Sequence, residues 1–386
     1  MKRIVIFSDD WGRHPSSCQH LARYWVGSYD VVWVNTIGMR PPRLDWITAR
    51  RGGEKLLQWF GPKSGSVDSE LPRHEAAPKV IDAKMWPWMT HRWDRWLNRR
   101  LLSSQLTEIL DGSVVVTTVP VVADLPSITA AEKWIYYRVD DFAVWPGLDG
   151  KTMAGMENDL WQHVDAVVCA SESLRETAAS LVQPCHLMTH GVDRLFWQGE
   201  PLGHGVAIGD RPERGDIVFW GVVDRRLDAD LVLALADRLG DRSIILVGPT
   251  QNPDPRLHHH RSIRMIGPVP MDDLPGIARA ASLLIMPYQD LPVTRAMQPL
   301  KFNEYLATQR PVVATRLPAT DPWADAADLC ETTEQFVACC LRWIDLSETA
   351  PTRLIETLAV QNEIRRERLA DETWQNKADW FASHFF

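Results

Sequence analysis

Short apolar runs alternate with amphipathic segments along most of the chain. Residues 2–8 contain one such run, residues 17–26 place apolar positions at helical spacing, and residues 31–35 form a second run. A run that stays apolar on successive positions is typical of a parallel strand buried on both faces, and the segments between such runs predict crossover helices. The alternation continues through 114–170 and returns in 216–317. The pattern predicts the α/β class, with two domains that each contain a parallel sheet wrapped by helices.

A glycine-rich stretch separates the two alternations. Residues 199–215 contain five glycines and two prolines but few large apolar side chains, which is typical of an interdomain linker. We therefore predict an N-terminal domain over 1–198 and a C-terminal domain over 216–371. A chain of 386 residues also exceeds what one hydrophobic core usually supports. The tail from residue 351 reads as helical, with a break near Asp371.

The stretch from Tyr288 to Leu317 carries the clearest chemistry. It reads as the end of a strand, a polar loop, a helix that starts near Pro299, and another strand. A helix start offers free backbone N–H groups and partial positive charge, which favour a phosphate. Lys301 would add a full charge there, and Glu304, one turn inward, could bind hydroxyl groups. We predict a nucleotide-sugar pocket; the alternative is that Glu304 only pairs with Lys301 on the helix surface.

Two arginines follow a predicted strand of the second domain. Arg225 and Arg226 lie in the sequence GVVDRRLD, between that strand and the next helix. Together with Lys301 they would gather positive charge near one strand edge, which suits a departing diphosphate. The alternative is a solvated loop in which one arginine pairs with Asp224 or Asp228.

In the first domain, a predicted strand ends in two acids, Asp140 and Asp141, within YYRVDD. Ligands of α/β sheets bind outside the carboxyl ends of the strands, so a carboxylate there can reach a substrate. Asp141 is our candidate for the base that deprotonates an attacking hydroxyl, or for a group that stabilises a cationic sugar. The alternative is that one of the acids only caps the following loop, residues 142–150.

The loop after the first strand, SDDWGRHPSSCQH, lacks the G-x-G-x-x-G fingerprint of dinucleotide cofactors. This absence argues against a nicotinamide-dependent enzyme. Asp10, Gln19 and His20 are candidates for an acceptor site. A histidine such as His20 is, however, more often a satisfied helix residue than a catalyst.

The composition also argues against nucleic-acid-binding, secreted and membrane-spanning proteins. The formal net charge of −8 argues against nucleic acid as the main partner. The apolar run at residues 4–7 is too short for a signal peptide, and no stretch approaches the ~18 apolar residues of a membrane span. The six cysteines show no metal-site spacing, so we expect reduced thiols and a cytoplasmic protein.

No metal site is predicted. Asp228 and Asp230 match the D-x-D pattern of metal-dependent sugar transferases, but they open a predicted helix, where aspartate is a good cap. The histidines at 258–260 lie in a charged loop without cysteine or acidic ligands at metal spacing, and we interpret them as surface residues.

The segment from Met85 to Leu102, MWPWMTHRWDRWLNRRLL, combines tryptophan with arginine. On a helix its apolar residues would share one face, with the arginines around it. These apolar residues are Met89, Trp93, Trp96, Leu97 and Leu101. Such a helix suits the interface of an anionic membrane, which would place the protein at the inner face of the cell membrane. A core-packed helix with solvated arginines fits equally well, because an apolar stripe does not distinguish lipid from protein.

Taken in order, several segments resemble a known family. They are SSCQHLA, YYRVDDF, VDAVVCASESL, HGVDRLFW, FWGVVDRRLD and PLKFNEYLATQRPVVAT, and they are spread over most of the chain. Their order and spacing resemble the GT-B glycosyltransferases, in particular the family-four enzymes that build bacterial surface polysaccharides. A more distant resemblance exists to the xanthan glucuronosyltransferase, through YR-x-x-D, GHGVD and MK-x-x-x-Y segments.

The resemblance implies two Rossmann-like domains that face each other across a cleft, with a last helix, 372–386, that crosses back to the first domain. It implies transfer of a sugar from a nucleotide diphosphate, with UDP preferred, to a hydroxyl of a glycan or lipid-linked glycan. No cofactor and no bound metal are expected. By motif, Glu304 would hold the ribose and Asp141 the reacting centre. The diphosphate would be held by Lys301 and Arg226.

The remaining donor-side residues of this prediction are Gly221, Arg225, Tyr288, Thr294, Met297 and Leu300. The acceptor-side residues are Asp10, Gly12, Gln19, His20 and His190.

The chain departs from the family at one position. The family motif has two glutamates separated by seven residues, and the position that precedes Glu304 by that spacing is Ala296. The contact with the donor sugar must then come from elsewhere, with Thr294, Arg295 and the backbone amide near Met297 as candidates. The missing glutamate also leaves a second function open, that of a catalytically silent protein that binds sugar nucleotides or polysaccharide.

Overall fold

The structure is a computed structural model that describes residues 1–12, 16–39, 77–199 and 216–386. Contacts divide the chain into two compact units. The first comprises Met1–Val168, Ala178–His186 and Phe385–Phe386, and the second comprises Cys169–Thr177 and Leu187–His384. Residues 187–198, which we predicted in the first domain, are thus counted with the second unit. Of the predicted linker only Gly199 is described.

A seven-stranded sheet organises the first unit, in the order β3-β2-β1-β4-β5-β6-β7. Its strands are β1 (Arg3–Ser8), β2 (Asp30–Asn35), β3 (Lys79–Asp82), β4 (Val114–Thr117), β5 (Lys133–Arg138), β6 (Ala166–Cys169) and β7 (Cys185–Leu187). β1 pairs in parallel with β2 and with β4, and β4 is buried along its whole length. The continuous apolar runs in the sequence predicted β1, β2, β4, β5 and β6 correctly, because both faces of the sheet are covered there, but they did not predict the edge strands β3 and β7.

Four helices follow these strands. They are α1 (Ser17–Trp25), α2 (Arg92–Leu110), α3 (Gly150–Trp161) and α4 (Glu172–Ala179). Ser171 Oγ accepts a hydrogen bond from Leu174 N at 3.2 Å and so caps α4. The apolar face that the sequence outlines on α2 is not the face that this helix buries. Its buried residues are Asp94, Asn98, Leu102, Leu106 and Leu110.

The second unit contains a six-stranded parallel sheet in the order β12-β10-β8-β13-β14-β15 and a small pair, β11-β9. The strands are β8 (Ile217–Trp220), β9 (Val223–Asp224), β10 (Ile244–Val247), β11 (Thr250–Gln251), β12 (Ile263–Ile266), β13 (Leu283–Met286), β14 (Val312–Thr315) and β15 (Asp328–Cys330). The helices are α5 (Arg194–Gln198), α6 (Ala229–Ala236), α7 (Leu274–Ala280), α8 (Pro292–Ala296), α9 (Leu300–Ala307), α10 (Thr333–Thr349), α11 (Pro351–Arg368) and α12 (Trp374–Phe385).

One feature of the C-terminal tail matches the sequence analysis, and a second matches it only in part, because the last helix is counted with the second unit up to His384 and with the first unit only at Phe385 and Phe386. The predicted break near Asp371 separates α11 from α12. The final residue belongs to the first unit, where the Phe386 ring lies 4.9 Å from the Trp25 ring and its carbonyl accepts a hydrogen bond from Lys2 Nζ at 2.9 Å. Within the described ranges, no helix is both long and apolar enough to span a bilayer.

Candidate functional site

The end of β8 meets the start of α9 in the second unit. Gly221, directly after β8, has a φ of 144°, which L side chains rarely adopt. A Cβ atom there would also clash with the Lys301 side chain, with Cδ at 2.8 Å and Nζ at 3.1 Å. Only glycine lets the lysine lie across this turn. The Lys301 ammonium is therefore held against the carboxyl end of a central strand, where the sequence predicted a phosphate site.

Glu304 is fixed at the same strand end by Trp220. The indole Nε1 of Trp220 donates a hydrogen bond to Glu304 Oε2 at 3.0 Å. Trp220 is itself held, because its backbone N donates to the Tyr305 hydroxyl at 2.9 Å and its ring stacks on Trp197 at 5.2 Å. Burial raises the pKa of Glu304, while the Trp220 hydrogen bond and the Lys301 charge oppose this rise. The carboxylate thus has one oxygen anchored and the other available to a ligand.

Gly248 completes this turn, and the sequence analysis missed it. The backbone N of Gly221 donates to Val247 O at 2.8 Å, and a Cβ on Gly248 would clash with the Gly221 carbonyl. Gly248 has a φ of 135°. The signal was present, since a glycine directly after a buried strand marks a close approach of backbone.

The loop that contains Arg225 and Arg226 has the arrangement that we gave as the alternative, in which one arginine pairs with Asp224. Arg226 is 7% exposed and pairs with Asp224, with 2.8 Å between Nη2 and Oδ2 and 3.1 Å between Nε and Oδ1. Its charge is therefore balanced within the loop. Arg225 is exposed and donates to the side-chain oxygen of Asn252 at 3.0 and 3.1 Å, in the amide orientation that satisfies both groups.

Three residues predicted to bind the donor have internal roles instead. Thr294 is fully buried, and its Oγ1 accepts from Leu291 N at 2.8 Å, so it caps α8. The backbone N of Met297 donates to Val293 O at 3.1 Å, where it ends the same helix. Tyr288 is 2% exposed and packs edge-on against a ring of the core. These corrections share one cause, which is that the predicted polar loop is a short helix with its own caps.

Leu300 is half-buried as the first residue of α9. Of the three candidates to replace the missing glutamate, Arg295 alone is exposed, and it pairs with Asp290 at 3.0 Å. Ala296 is 8% exposed, and its carbonyl accepts a hydrogen bond from Ser171 Oγ at 2.5 Å.

A cavity of about 500 Å³ opens beside α8 and α9, within the second unit. Its wall includes Ser171, Arg295, Gln298 and Asn303. Asn303 is 2% exposed and donates through Nδ2 to the carbonyl of His190 at 3.0 Å. Its Oδ1 is buried and has no hydrogen-bond partner among the described residues. A buried amide oxygen in this state is costly unless a ligand or water donates to it.

His190 was predicted on the acceptor side, but the structure groups it with the second unit. It is 4% exposed, and its ring lies 6.3 Å from the Trp374 ring. The pKa of His190 is lowered to about 3, mainly by burial and also by the charge of Lys377, while a backbone hydrogen bond with Gln298 opposes both. The imidazole is therefore neutral at physiological pH.

In the first unit, Asp141 caps the loop that follows it, which was the alternative to its predicted catalytic role. Its Oδ1 accepts from Ala143 N at 3.1 Å, which caps the loop, while the side chain stays 26% exposed. Arg138 Nη2 lies 4.0 Å from the same oxygen. Burial would lower the pKa of Arg138, but the Glu157 carboxylate at 2.8 Å and further acidic neighbours keep it above its usual value. A permanently charged guanidinium thus supports Asp141, and sequence analysis missed this pair.

The other acceptor-side residues build a loop. Gln19 is 1% exposed; its Oε1 accepts from Gly12 N at 3.2 Å and its Nε2 donates to the Asp10 carbonyl at 3.4 Å. Gln19 therefore orders this loop, contrary to its predicted contact with an acceptor. Asp10 is exposed, and His20 is half-buried within α1.

The aspartates of the D-x-D pattern have structural partners. Asp228 Oδ1 accepts from Leu231 N at 3.0 Å and caps α6, as predicted. Asp230 pairs with Arg256 at 2.7 Å. In the part of the chain that the structure describes, no three His, Cys, Asp or Glu side chains are grouped so that they could hold a metal ion.

Comparisons with known proteins fit this geometry. Residues 214–345, which contain β8 and α9, match the family model of glycosyl transferases group 1. A putative teichuronic acid biosynthesis glycosyltransferase of Bacillus subtilis, TuaH, is 27% identical over 178 residues. That match covers 44% of this chain and 45% of the relative, so it spans less than half of either protein.

Solved structures show the fold of the whole chain. HepE of Anabaena in complex with UDP-glucose superposes with a TM-score of 0.67 at 12% identity, over 100% of this chain and 99% of the other. A sucrose-phosphate synthase of Thermosynechococcus elongatus gives a TM-score of 0.68 at 13% identity, over 100% and 98%. The chain therefore has the GT-B fold of two Rossmann-like α/β domains, and its residues 214–345 are similar to the glycosyl transferases group 1 family.

Proposed function

We propose that the protein transfers a sugar from a UDP-sugar to a hydroxyl group of a glycan or lipid-linked glycan in bacterial polysaccharide synthesis. One observation carries this proposal: Lys301 lies across Gly221 while Trp220 fixes Glu304, so a cation and a carboxylate share one strand end. A diphosphate beside a ribose requires these two groups, one for charge and one for hydroxyls. The UDP and UDP-glucose complexes of HepE and the teichuronic acid role printed for TuaH support the choice of donor and acceptor.

In the proposed reaction, the acceptor hydroxyl oxygen forms a bond to the anomeric carbon, and the bond from that carbon to the diphosphate oxygen breaks. Lys301 and the N-terminus of α9 stabilise the charge that develops on the diphosphate. If the product inverts configuration, Asp141 takes the hydroxyl proton. If it retains configuration, the departing phosphate takes the proton and Asp141 orients the acceptor.

Arg226 can contribute only by sharing its guanidinium between Asp224 and the diphosphate. The resemblance to the family implies that side chains balance the diphosphate without a metal ion, and we retain this as part of the proposal. Turnover in the presence of EDTA should then equal turnover with added Mg²⁺ or Mn²⁺. A loss of activity in EDTA that Mg²⁺ restores would contradict this part of the proposal.

The cavity beside Ala296 is the proposed place of the donor sugar. It adjoins the position of the missing glutamate, and its wall offers the Arg295 guanidinium and the unpaired Asn303 Oδ1 to sugar hydroxyls. We place the reaction in the cytoplasm, at the inner face of the cell membrane.

A screen for nucleotide release tests the function. UDP-, GDP- and ADP-sugars are incubated with the protein and a bacterial glycan extract, and free nucleotide is measured. We expect release from a UDP-sugar that increases with the extract and falls at least tenfold in Lys301→Ala. Lys151→Ala, an exposed lysine of α3, serves as the matched control and should be unchanged. Undiminished release by Lys301→Ala would remove its phosphate role, and near-normal transfer by Asp141→Asn would remove the base role.

The second candidate is a catalytically silent binder of sugar nucleotides, favoured by Ala296 in place of the motif's first glutamate. This candidate predicts that UDP-sugars raise the melting temperature, because a ligand that binds only the folded state stabilises it. It also predicts no UDP release with any acceptor. Release that depends on the acceptor excludes it.

A further inference from the structure

We infer that one face of α2 is a docking surface for an anionic lipid bilayer. The surface consists of Arg92, Trp93, Trp96, Arg99 and Arg100, and we call it the α2 face. At 3.6 residues per turn, these positions occupy about 120° of the helix circumference. Trp93 and Trp96 are each 53% exposed, and the arginines of the face are exposed as well. This inference goes beyond the proposed sugar transfer and does not depend on it.

The packing of α2 decides between the two alternatives that the sequence left open. The helix contacts the rest of the first unit through another side, where Asp94, Asn98 and Leu102 are buried. Asn98 Nδ2 donates to the carbonyls of Trp86 and Trp88 at 3.1 Å each. The core therefore does not use Trp93 and Trp96, and a core-packed tryptophan face is excluded.

The charge of the α2 face is positive and local. Asp94 is the only acid in residues 85–102, and it is 1% exposed beneath the helix, where it accepts from Trp86 Nε1 at 2.9 Å. Arg95 behaves differently from its neighbours, since Asp124 and Asp159 each pair with it at 2.6 Å. The other three arginines face solvent on a chain whose formal net charge is −8. Such segregation of charge favours an anionic partner at this face alone.

The tryptophans of the face are held in place before any partner binds. The Trp93 ring lies 5.4 Å from the Trp86 ring, which lies 4.9 Å from the Trp88 ring. The Arg100 guanidinium lies 5.9 Å from the Trp96 ring. Indoles combine an apolar body with one N–H donor, which suits the boundary between headgroups and acyl chains, and arginine binds phosphate with two parallel hydrogen bonds. Large apolar rings interleaved with cations therefore favour a phospholipid surface over an acidic protein.

Flotation of the full-length chain with lipid vesicles tests the inference. Vesicles of phosphatidylcholine alone are compared with vesicles that also contain phosphatidylglycerol. We expect recovery with the anionic vesicles, a decrease at high salt because counterions screen the arginines, and little recovery with neutral ones. The triple variant R92Q/R99Q/R100Q should partition about 100-fold more weakly, since each arginine near an anionic surface contributes about fivefold. Trp93→Ser with Trp96→Ser should also reduce recovery.

The control replaces exposed apolar residues on another helix, Ile355→Ser with Val360→Ser on α11, which are 66% and 64% exposed. This variant should float like the parent. Equal recovery on both kinds of vesicle, or unchanged flotation of the triple arginine variant, would overturn the inference. A parent that binds no vesicle but forms dimers that the tryptophan variants dissolve would assign the face to a second copy and also overturn it. UDP release with a soluble acceptor should be unchanged in all variants, which separates this result from the fate of the proposed function.

Discussion

Glu304 owes its position to Trp220, which precedes it by 84 residues in the chain. Replacing Trp220 by Phe keeps the ring between Trp197 and Tyr305 but removes the Nε1–H donor. A hydrogen bond to a charged group contributes about 1.5–3 kcal/mol, so we expect UDP affinity to fall about tenfold when the carboxylate loses its anchor. Isothermal titration calorimetry measures this change.

The matched control is Trp197→Phe, because Trp197 stacks on Trp220 without donating to Glu304. The loss in Trp220→Phe should appear with UDP and disappear with a uridine diphosphate that lacks both ribose hydroxyls. An equal loss with the two nucleotides would show that the tryptophan acts on something other than ribose binding.

The contact between Gly221 and Lys301 offers a second test. Gly221→Ala places a methyl group against Lys301 and also strains the backbone, so we expect a loss of about 1–3 kcal/mol of unfolding free energy and weaker UDP binding. Gly240→Ala is the control, since Gly240 also has a positive φ, 62°, but an added Cβ would meet nothing within 4 Å. Denaturant unfolding of both variants separates the contact from the backbone strain. Equal losses in the two would contradict a Lys301 that is held by the turn.

The burial of His190 leads to a prediction about how the stability of the protein depends on pH. The folded pKa of His190 is about 3 against an ordinary value of 6.5, so the unfolded chain binds more protons between these values. Stability should therefore fall as pH drops below 6.5, by up to about 1.4 kcal/mol per pH unit. His190→Gln should flatten this dependence in melting curves, whatever its effect on stability at neutral pH.

His258→Gln is the control for this titration, because His258 is exposed on a short helical turn. It should leave the slope of melting temperature against pH unchanged. A parent-like slope in His190→Gln would show that other groups cause the acid sensitivity.

The short helix α8 shows why part of the site could not be predicted from the sequence. The apolar runs of β8 and β13 and the start of α9 were predictable, because buried strands and a helix start at Pro299 have local sequence signals. Pro292 at the first helical position of α8 was also such a signal, and missing it made Thr294 look like a ligand contact. The partners of Glu304 and Asn303 have no local signal, since Trp220 and His190 reach them only through the tertiary fold.

The inward face of α2 could not be predicted from the sequence for a related reason. Its buried stripe contains Asp94 and Asn98, polar residues whose partners are the indole of Trp86 and backbone carbonyls outside the helix. The spacing of apolar residues predicts that such polar positions are exposed. A buried polar side chain cannot be recognised in the sequence, because its hydrogen-bond partner is known only from the structure.

At the scale of the whole molecule, the two-domain α/β architecture followed from the alternation of runs, and the GT-B fold followed from the resemblance. The roles of individual cations did not follow, because Arg226 and Lys301 read alike in the sequence. The structure distinguishes them. Asp224 balances the charge of Arg226. Lys301 interacts electrostatically with Glu304, one turn along α9, and its side chain lies against Gly221. Lys301 is therefore the residue on which the account of the donor site depends most.

The most direct test of that account is the affinity for UDP, measured by calorimetry on the parent, Lys301→Ala and the control Lys151→Ala. The account predicts that the parent and Lys151→Ala bind UDP equally and that Lys301→Ala binds at least tenfold more weakly, about 1.4 kcal/mol or more. Equal affinity of Lys301→Ala and the parent, or no binding of UDP by the parent, would contradict it.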